Sequence, residues 1–146
     1  MEKINELNNY NIYCAGVIIF FKDSTVLVQT KNGNYSFPKG GREKGENIYQ
    51  TALRELNEET GIEEQDIDFY TNSDNSLTYI DEYKTCATIK PSIRYYLAEL
   101  KEKKHLEFKD PDELDQVSYV KMVTALEFGN ELKDKRKDIL RAAMDF

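Results

Sequence analysis

Three glutamates crowd the middle of this sequence, at Glu55, Glu58 and Glu59. Glu55 and Glu59 are one helical turn apart, and Glu63 is expected to extend the same ridge. Like charges at this spacing repel each other by about 0.2–0.5 kcal/mol per pair on an exposed helix. Arg54 lies four residues before Glu58 and can neutralise part of this charge. Such a ridge is either a solvated helix face or a site for a divalent metal, and the first is commoner.

The residues around the acidic ridge predict the helix that carries it. Asn47 is a typical N-cap residue, and Gln50 can complete a capping box with it. Apolar positions fall on one side of the helix and the glutamates on the other. The apolar positions are Tyr49, Ala52, Leu53 and Leu56. Gly61 predicts the end of a helix over residues 48–60, and a glycine-rich loop at 39–46 precedes it.

The other segments predict one mixed α/β domain over residues 1–146, in which strands outnumber helices. A polar lead-in covers 1–11, and β-branched and aromatic runs predict a hairpin of strands at 12–21 and 25–30. Later strands are predicted at 77–89, 92–100 and 116–122, with short extended pieces at 35–37 and 66–69. The remaining predictions are a charged loop at 101–112 and helices at 123–128 and 131–144.

Composition favours a soluble globular protein, with 40% hydrophobic and 32% charged residues. A net charge of -7 should repel long nucleic acid, although a bound metal can reverse the local sign for a compact phosphorylated ligand. Cys14 and Cys86 lie in apolar runs, which favours core positions over a disulfide or a zinc site. We expect a cytoplasmic protein without a membrane segment, because no apolar leader or stretch of transmembrane length occurs.

The stretch 40–62 is similar to the signature of the Nudix hydrolases. That signature is a glycine, five residues, a glutamate, seven residues, and then Arg-Glu-apolar-x-Glu-Glu-x-Gly-apolar. Its fixed positions are filled here by Gly40, Glu46, Arg54, Glu55, Leu56, Glu58, Glu59, Gly61 and Ile62. Nine matching positions within 23 residues make this a specific signal. The resemblance implies an α/β/α sandwich with a mixed central sheet.

The resemblance also implies a metal-dependent hydrolase of phosphoanhydrides, with Mg²⁺ as the cofactor and Mn²⁺ as an alternative. The implied metal ligands are Glu55, Glu58, Glu59 and the carbonyl oxygen of Gly40. Carboxylates suit Mg²⁺, a hard cation that prefers oxygen ligands and keeps several waters. Arg54 is implied as a catalytic residue that holds a carboxylate in place, and Glu46 as its partner in fixing the loop to the helix. The simpler alternative for Arg54 is an ordinary helical ion pair with Glu58.

Segments outside the signature resemble the asymmetric diadenosine tetraphosphate hydrolases of this family. Residues 35–40 are similar to the Trp-x-x-Pro-Lys-Gly sequence of those enzymes, and residues 77–79 and 90–100 also match them. Two positions depart from the pattern, because Tyr35 replaces the tryptophan and Gly41 stands where many of these enzymes have histidine.

This closer resemblance implies four further site residues. Lys39 and Lys90 would contact the polyphosphate and Tyr79 would stack on adenine, whereas the alternatives are a strand-edge charge for Lys90 and a cross-strand core pair for Tyr79. Glu113 lies six residues before Tyr119, where the subfamily has an acidic residue, and would be an extra metal ligand or the general base. Its alternative is a solvated residue in an acidic run.

The leading hypothesis is therefore Mg²⁺-dependent hydrolysis of a dinucleoside polyphosphate, such as diadenosine tetraphosphate to ATP and AMP. One alternative is removal of the nucleotide cap from RNA, which the Phe-Pro-Lys-Gly sequence at 37–40 suggests and the acidic charge disfavours. Others are hydrolysis of another nucleotide or of a diphosphoinositol, or a nucleotide-sensing module without turnover. The expected partner is a small nucleotide; the sequence leaves capped RNA open and does not indicate an oligomeric state.

Overall fold

In the part of the chain that the structure describes, eight strands form one sheet, and several of them are runs of β-branched and aromatic residues. The computed structural model describes residues 12–83 and 92–146. Its strands are β1 (Ile12–Phe21), β2 (Ser24–Thr30), β3 (Tyr35–Ser36), β4 (Lys39–Gly41), β5 (Ile67–Phe69), β6 (Tyr79–Glu82), β7 (Ser92–Leu100) and β8 (Leu114–Lys121). Its helices are α1 (Ile48–Thr60), α2 (Met122–Leu126) and α3 (Asp134–Met144), with a 3₁₀ turn at Glu64–Asp66.

The sheet is mixed and is centred on β1. Its main strand order is β3-β2-β1-β7-β5, while β4 pairs with β1, β6 with β7 and β8 with β2. β1 and β7 run parallel, with Val17 opposite Tyr96, and the other described pairs are antiparallel. The predicted hairpin of β1 and β2 is confirmed by the pairing of Phe20 with Thr25.

Helices cover both faces of the sheet. Alternate residues of β1 point to opposite faces, so that Val17 and Ile18 belong to different buried clusters. On one face α1 packs through Ala52 and Leu56, and on the other α3 packs through Leu140. The α/β/α sandwich with a mixed sheet is therefore confirmed. The single domain over residues 1–146 stays a prediction, because 1–11 and 84–91 lie outside the described part.

Predicted and observed elements differ mainly where long-range pairing decides the boundary. Strands 12–21 and 92–100 and helix 48–60 have the predicted bounds. The last strand begins at Leu114, earlier than predicted, because it pairs with Thr30 of β2. Part of the predicted loop at 39–46 is strand β4, because its backbone pairs with β1. The last helix begins at Asp134, so Leu132 packs in the core from outside it.

The caps of α1 are those expected from the sequence. Asn47 Oδ1 accepts from the Gln50 N–H at 2.8 Å, and Gln50 Oε1 accepts from the Asn47 N–H at 2.9 Å. Gly61 ends the helix in the left-handed region at φ 80°. Glu63 therefore lies beyond the helix, next to the 3₁₀ turn, and the expectation that it extends the acidic ridge is wrong.

Two findings bear on composition. Cys14 is half-buried with a free thiol, while Cys86 lies outside the described residues. No helix within 12–83 and 92–146 is both long and apolar enough to cross a membrane.

Candidate active site

The three glutamates of α1 differ in their exposure to solvent. Glu59 is only 9% exposed. The side chain of Glu55 is 13% exposed and that of Glu58 is 44% exposed. The expectation that all three lie on a polar side, away from the packed surface, is therefore wrong for Glu55 and Glu59. Strand β4 folds back beside α1 and covers them, which excludes a solvated face as the explanation for this pair.

The carboxylate of Glu55 lies directly over Gly40 in β4. A methyl group built on Gly40 would be 2.1 Å from Glu55 Cδ and 2.3 Å from each carboxylate oxygen. At the neighbouring Gly41, no atom lies within 4 Å of such a methyl group. The signature glycine thus leaves the space that the first signature glutamate of the helix occupies.

Glu59 is bound to the backbone of the same strand. The Lys39 N–H donates a hydrogen bond of 2.9 Å to Glu59 Oε1. Burial raises the pKa of Glu59 to about 7, the Lys39 N–H opposes this shift, and the charges of Glu55 and Glu113 add to it. Burial also raises the pKa of Glu55. Both carboxyls are therefore harder to ionise than ordinary glutamates.

Arg54 connects the loop before α1 with the acidic residues of the helix. Its Nε lies 2.6 Å from Glu46 Oε2, and its Nη2 donates to the Gly41 carbonyl at 2.7 Å. Its Nη1 donates to Glu55 at 2.9 Å and to Glu58 at 3.2 Å. The hydrogen bond from Arg54 lowers the pKa of Glu46 to about 2. The simple pair with Glu58 is present, but it is one contact among several.

Glu113 reaches the same place from a distant part of the chain. Thr30 pairs with Leu114, and the Lys31 N–H donates to the Glu113 carbonyl at 3.3 Å. Glu113 thereby lines a cavity of about 580 Å³ together with Glu55 and Glu59. Its charge contributes to the raised pKa values of both. The geometry fits the predicted role of Glu113, which stays a prediction.

Further charged residues line this cavity beside the expected Lys39 and Gly40. They are Lys31 and Asp112. Neither belongs to the signature, and nothing in their local sequence separates them from ordinary turn residues. Only the pairing of β2 with β8 brings them to the site.

Tyr79 is not among the described residues that line this cavity. The Arg94 guanidinium lies 3.8 Å from the centre of the Tyr79 ring, and the Tyr96 ring lies edge-on at 6.2 Å. Asp81 fixes Arg94 through a contact of 2.9 Å. The cross-strand pair is thus observed, yet Tyr79 is still 44% exposed, and base stacking stays a prediction. Lys90 lies outside the described residues.

The chemistry of the donor set fits a divalent cation. Within 12–83 and 92–146, no three His, Cys, Asp or Glu side chains are already arranged to hold a metal. Arg54 and the Lys39 N–H engage one oxygen each of Glu55 and Glu59, so the second oxygen of each carboxylate can serve as a ligand. Mg²⁺ keeps several waters and needs few protein oxygens, and a cation would relieve the repulsion that raises these pKa values. The residues therefore fit Mg²⁺ or Mn²⁺.

A family model agrees with this arrangement: the NUDIX domain matches residues 12–142. The chain belongs to the Nudix family. It is 35% identical over 100 residues to the bis(5'-nucleosyl)-tetraphosphatase [asymmetrical] of Mus musculus, a match covering 60% of this chain and 65% of that protein. It is also 36% identical over 70 residues to the RNA pyrophosphohydrolase of Sphingopyxis alaskensis, covering 45% of this chain and 44% of that protein.

Among solved structures, this Nudix protein is similar to the C. elegans Ap4A hydrolase in a binary complex. The TM-score is 0.72 at 21% identity, with 91% of this chain and 96% of that chain covered. At this identity the likeness shows a shared fold. The sequence matches span just under two thirds of the mouse protein and less than half of the Sphingopyxis protein.

The contact of Glu55 with Gly40 predicts different outcomes for two neighbouring glycines. In Gly40→Ala the new methyl group must displace the Glu55 carboxylate, the mobile end of a flexible side chain. We expect the affinity for Mg²⁺, measured by calorimetry, to fall about tenfold or more. The free energy of unfolding should change by less than about 1 kcal/mol. Gly41→Ala is the matched control, because it meets no atom, and equal affinities of the two variants would contradict this packing.

The raised pKa of Glu59 predicts how the metal-free protein responds to pH. An unfolded glutamate ionises near 4.5 and folded Glu59 near 7, so between these values only the folded state keeps the proton. The free energy of unfolding should therefore fall as pH rises through this window, by about 3 kcal/mol at most.

Glu59→Gln should remove this contribution while keeping an oxygen for the Lys39 N–H. Urea unfolding with EDTA at about pH 5 and about pH 8 measures the effect for both proteins. Other carboxyls, such as Glu46 with its lowered pKa, act in the opposite direction and are shared by the two proteins. Identical pH dependence of the two proteins would contradict the raised pKa.

Proposed function

We propose that this Nudix protein is a Mg²⁺-dependent hydrolase of dinucleoside polyphosphates, such as diadenosine tetraphosphate. The observation that carries the proposal is the cavity in which Glu55, Glu59 and Glu113 meet Lys39. Carboxylates for cations and a lysine for phosphate are the two kinds of group that a polyphosphate site requires.

Each group in the cavity has a specific task in the proposed reaction. Bound Mg²⁺ would supply charge neutralisation and a lowered pKa for the attacking water. Glu55 and Glu59 would hold the cation, and Arg54 orients Glu55 through a bond of 2.9 Å. Lys39 would contact the phosphate chain as a point charge. Glu113 would accept the proton of the attacking water or add a ligand oxygen.

The reaction consumes one water and breaks one phosphoanhydride bond. Oxygen from water bonds to one phosphorus, and the bond from that phosphorus to the bridging oxygen breaks. For diadenosine tetraphosphate the products would be ATP and AMP. Glu58 is the most exposed of the three helix glutamates, and it would be a further metal ligand together with the Gly40 carbonyl.

Two observations support a dinucleoside substrate. The match to the bis(5'-nucleosyl)-tetraphosphatase [asymmetrical] of mouse extends over 100 residues, against 70 for the RNA pyrophosphohydrolase of Sphingopyxis. The side chain of Tyr79 is 44% exposed although its ring contacts Arg94, and it does not line the cavity. It would stack on a base of a substrate that extends beyond the cavity.

Action on RNA ends is the second candidate. The match to an RNA pyrophosphohydrolase and the Phe-Pro-Lys-Gly sequence at 37–40 favour it. The net charge of -7 opposes it, because an acidic surface repels a long phosphate backbone. The two candidates differ in how their rates respond to salt, since RNA binding weakens steeply as salt is added.

A substrate panel with Mg²⁺ tests the proposal. Diadenosine tetraphosphate should yield ATP and AMP on chromatography, whereas 5'-labelled capped or triphosphorylated RNA should be processed much more slowly. No product at all, or faster processing of RNA, would contradict the dinucleoside assignment. Formation of ADP as the sole product would contradict cleavage to ATP and AMP.

The metal-ligand assignment is tested on the same substrate. We expect Glu59→Gln to lower turnover by roughly 10²-fold or more, as when one transition-state-stabilising group is removed. Circular dichroism should be unchanged. The control is Glu102→Gln, an exposed glutamate of the 101–112 loop, which should keep normal turnover. Full activity of Glu59→Gln would contradict the assignment.

Glu113→Gln tests whether the cavity position of this residue is functional. We expect kcat to fall by roughly 10²-fold, within the range for loss of a general base, and the acidic limb of the pH–rate profile to change. Glu107→Gln, an exposed glutamate of the preceding loop, is the control. A kcat and pH profile equal to those of the control would identify Glu113 as a solvated residue of the acidic run.

A further inference from the structure

Lys31 occupies the cavity wall, and the signature assigns it no role. It follows β2 directly and lines the cavity together with Lys39. Its Nζ lies 2.6 Å from Asp115 Oδ1, while its N–H donates to the Glu113 carbonyl at 3.3 Å. The backbone of Lys31 thus contacts the segment that carries Glu113, and its side chain is directed to Asp115 in β8.

The charges around the cavity are unfavourable for a polyphosphate without more cations. Four carboxylates among the described residues line it, against two lysines. The carboxylates are Glu55, Glu59, Asp112 and Glu113. Cations held by α1 would neutralise only the part of the substrate near that helix. Among the residues that the structure describes, Lys31 is the lysine that lines the β2–β8 side of the cavity.

The pair of Lys31 with Asp115 can be exchanged at little cost. The two side chains are 54% and 47% exposed, and an ion pair that is this exposed contributes little to stability. A lysine ammonium is a compact charge with three donors on a flexible stem, so it can move to a phosphate oxygen. A chain of several phosphates carries more charge than a single carboxylate and would win this competition.

We propose that Lys31 binds the polyphosphate chain of the substrate and that Asp115 holds its ammonium at the cavity wall until the substrate displaces it. This inference rests on the proposed function, because it concerns the substrate of the same cavity. Asp115 is then a competitor of the substrate, and removing it should improve binding.

The two partners must therefore respond in opposite directions. Lys31→Ala should raise KM for diadenosine tetraphosphate about tenfold, the scale of one charge-assisted hydrogen bond. Asp115→Asn should lower KM about two- to fivefold, the scale of an exposed ion pair. In both variants kcat should stay nearly constant, because the interaction is made equally with substrate and transition state. The backbone bond from residue 31 to Glu113 is retained in both.

A second exposed pair supplies matched controls. Lys101 and Asp68 lie 3.8 Å apart and are outside the cavity lining. Lys101→Ala and Asp68→Asn change the net charge as the test variants do, and should leave KM unchanged. Lys31→Gln repeats the loss of charge with a longer side chain, in case Lys31→Ala unfolds.

Binding can be measured apart from the reaction by titrating each protein with inorganic tripolyphosphate in a calorimeter, with Mg²⁺ present throughout. Weaker binding by Lys31→Ala and tighter binding by Asp115→Asn support the inference, even if the wild type does not cleave diadenosine tetraphosphate. If the wild type cleaves that substrate but both variants bind and react normally, the inference is overturned and the proposed function stands. Weaker binding by both variants also overturns it, because the pair would then act by holding the Glu113 segment in place.

Discussion

The site depends on the guanidinium group of Arg54. This group donates to loop acceptors at Glu46 and Gly41 and to helix carboxylates at Glu55 and Glu58. A guanidinium is suited to this because its donors form a rigid planar fork that a lysine ammonium cannot reproduce. The side chain is 22% exposed, so the contacts are only partly screened by water. Without Arg54, nearby carboxylates would repel one another and α1 would lose its hydrogen bonds to Glu46 and to the Gly41 carbonyl, leaving the Lys39 N–H bond to Glu59 between β4 and the helix.

The same arrangement places two carboxylates where an ionised group is costly. Glu55 and Glu59 are covered by β4, and burial raises the pKa of each. Purely for stability, an amide residue at position 59 would serve better at neutral pH, since its oxygen could accept from the Lys39 N–H without a charge being buried. The chain keeps a carboxyl that opposes folding above pH 7, which is understandable if a cation completes the folded state. The stability cost and the proposed activity therefore have one origin.

The sequence was informative wherever the cause is local. The caps at Asn47 and Gly61 and the signature spacing depend on neighbouring residues, and they predicted α1 correctly. Glu59 could not be judged in this way, because its burial depends on β4 pairing with β1 more than twenty residues earlier in the chain. Lys31 is harder still to foresee. It reaches the cavity because β2 pairs with β8, and no pattern in either segment states that pairing.

This difference also explains why the reaction is easier to predict than the substrate. The wall formed by β4 and α1 comes from one continuous stretch, and its residues satisfy one another through Arg54, so few of them can change independently. The charged residues of the opposite wall lie at the ends of β2 and β8, where they are exposed and joined by a weak ion pair. Substitutions there cost little stability, so Lys31, Asp112 and Asp115 are free to vary with the ligand. Substrate choice should therefore be encoded in the wall that the signature does not contain.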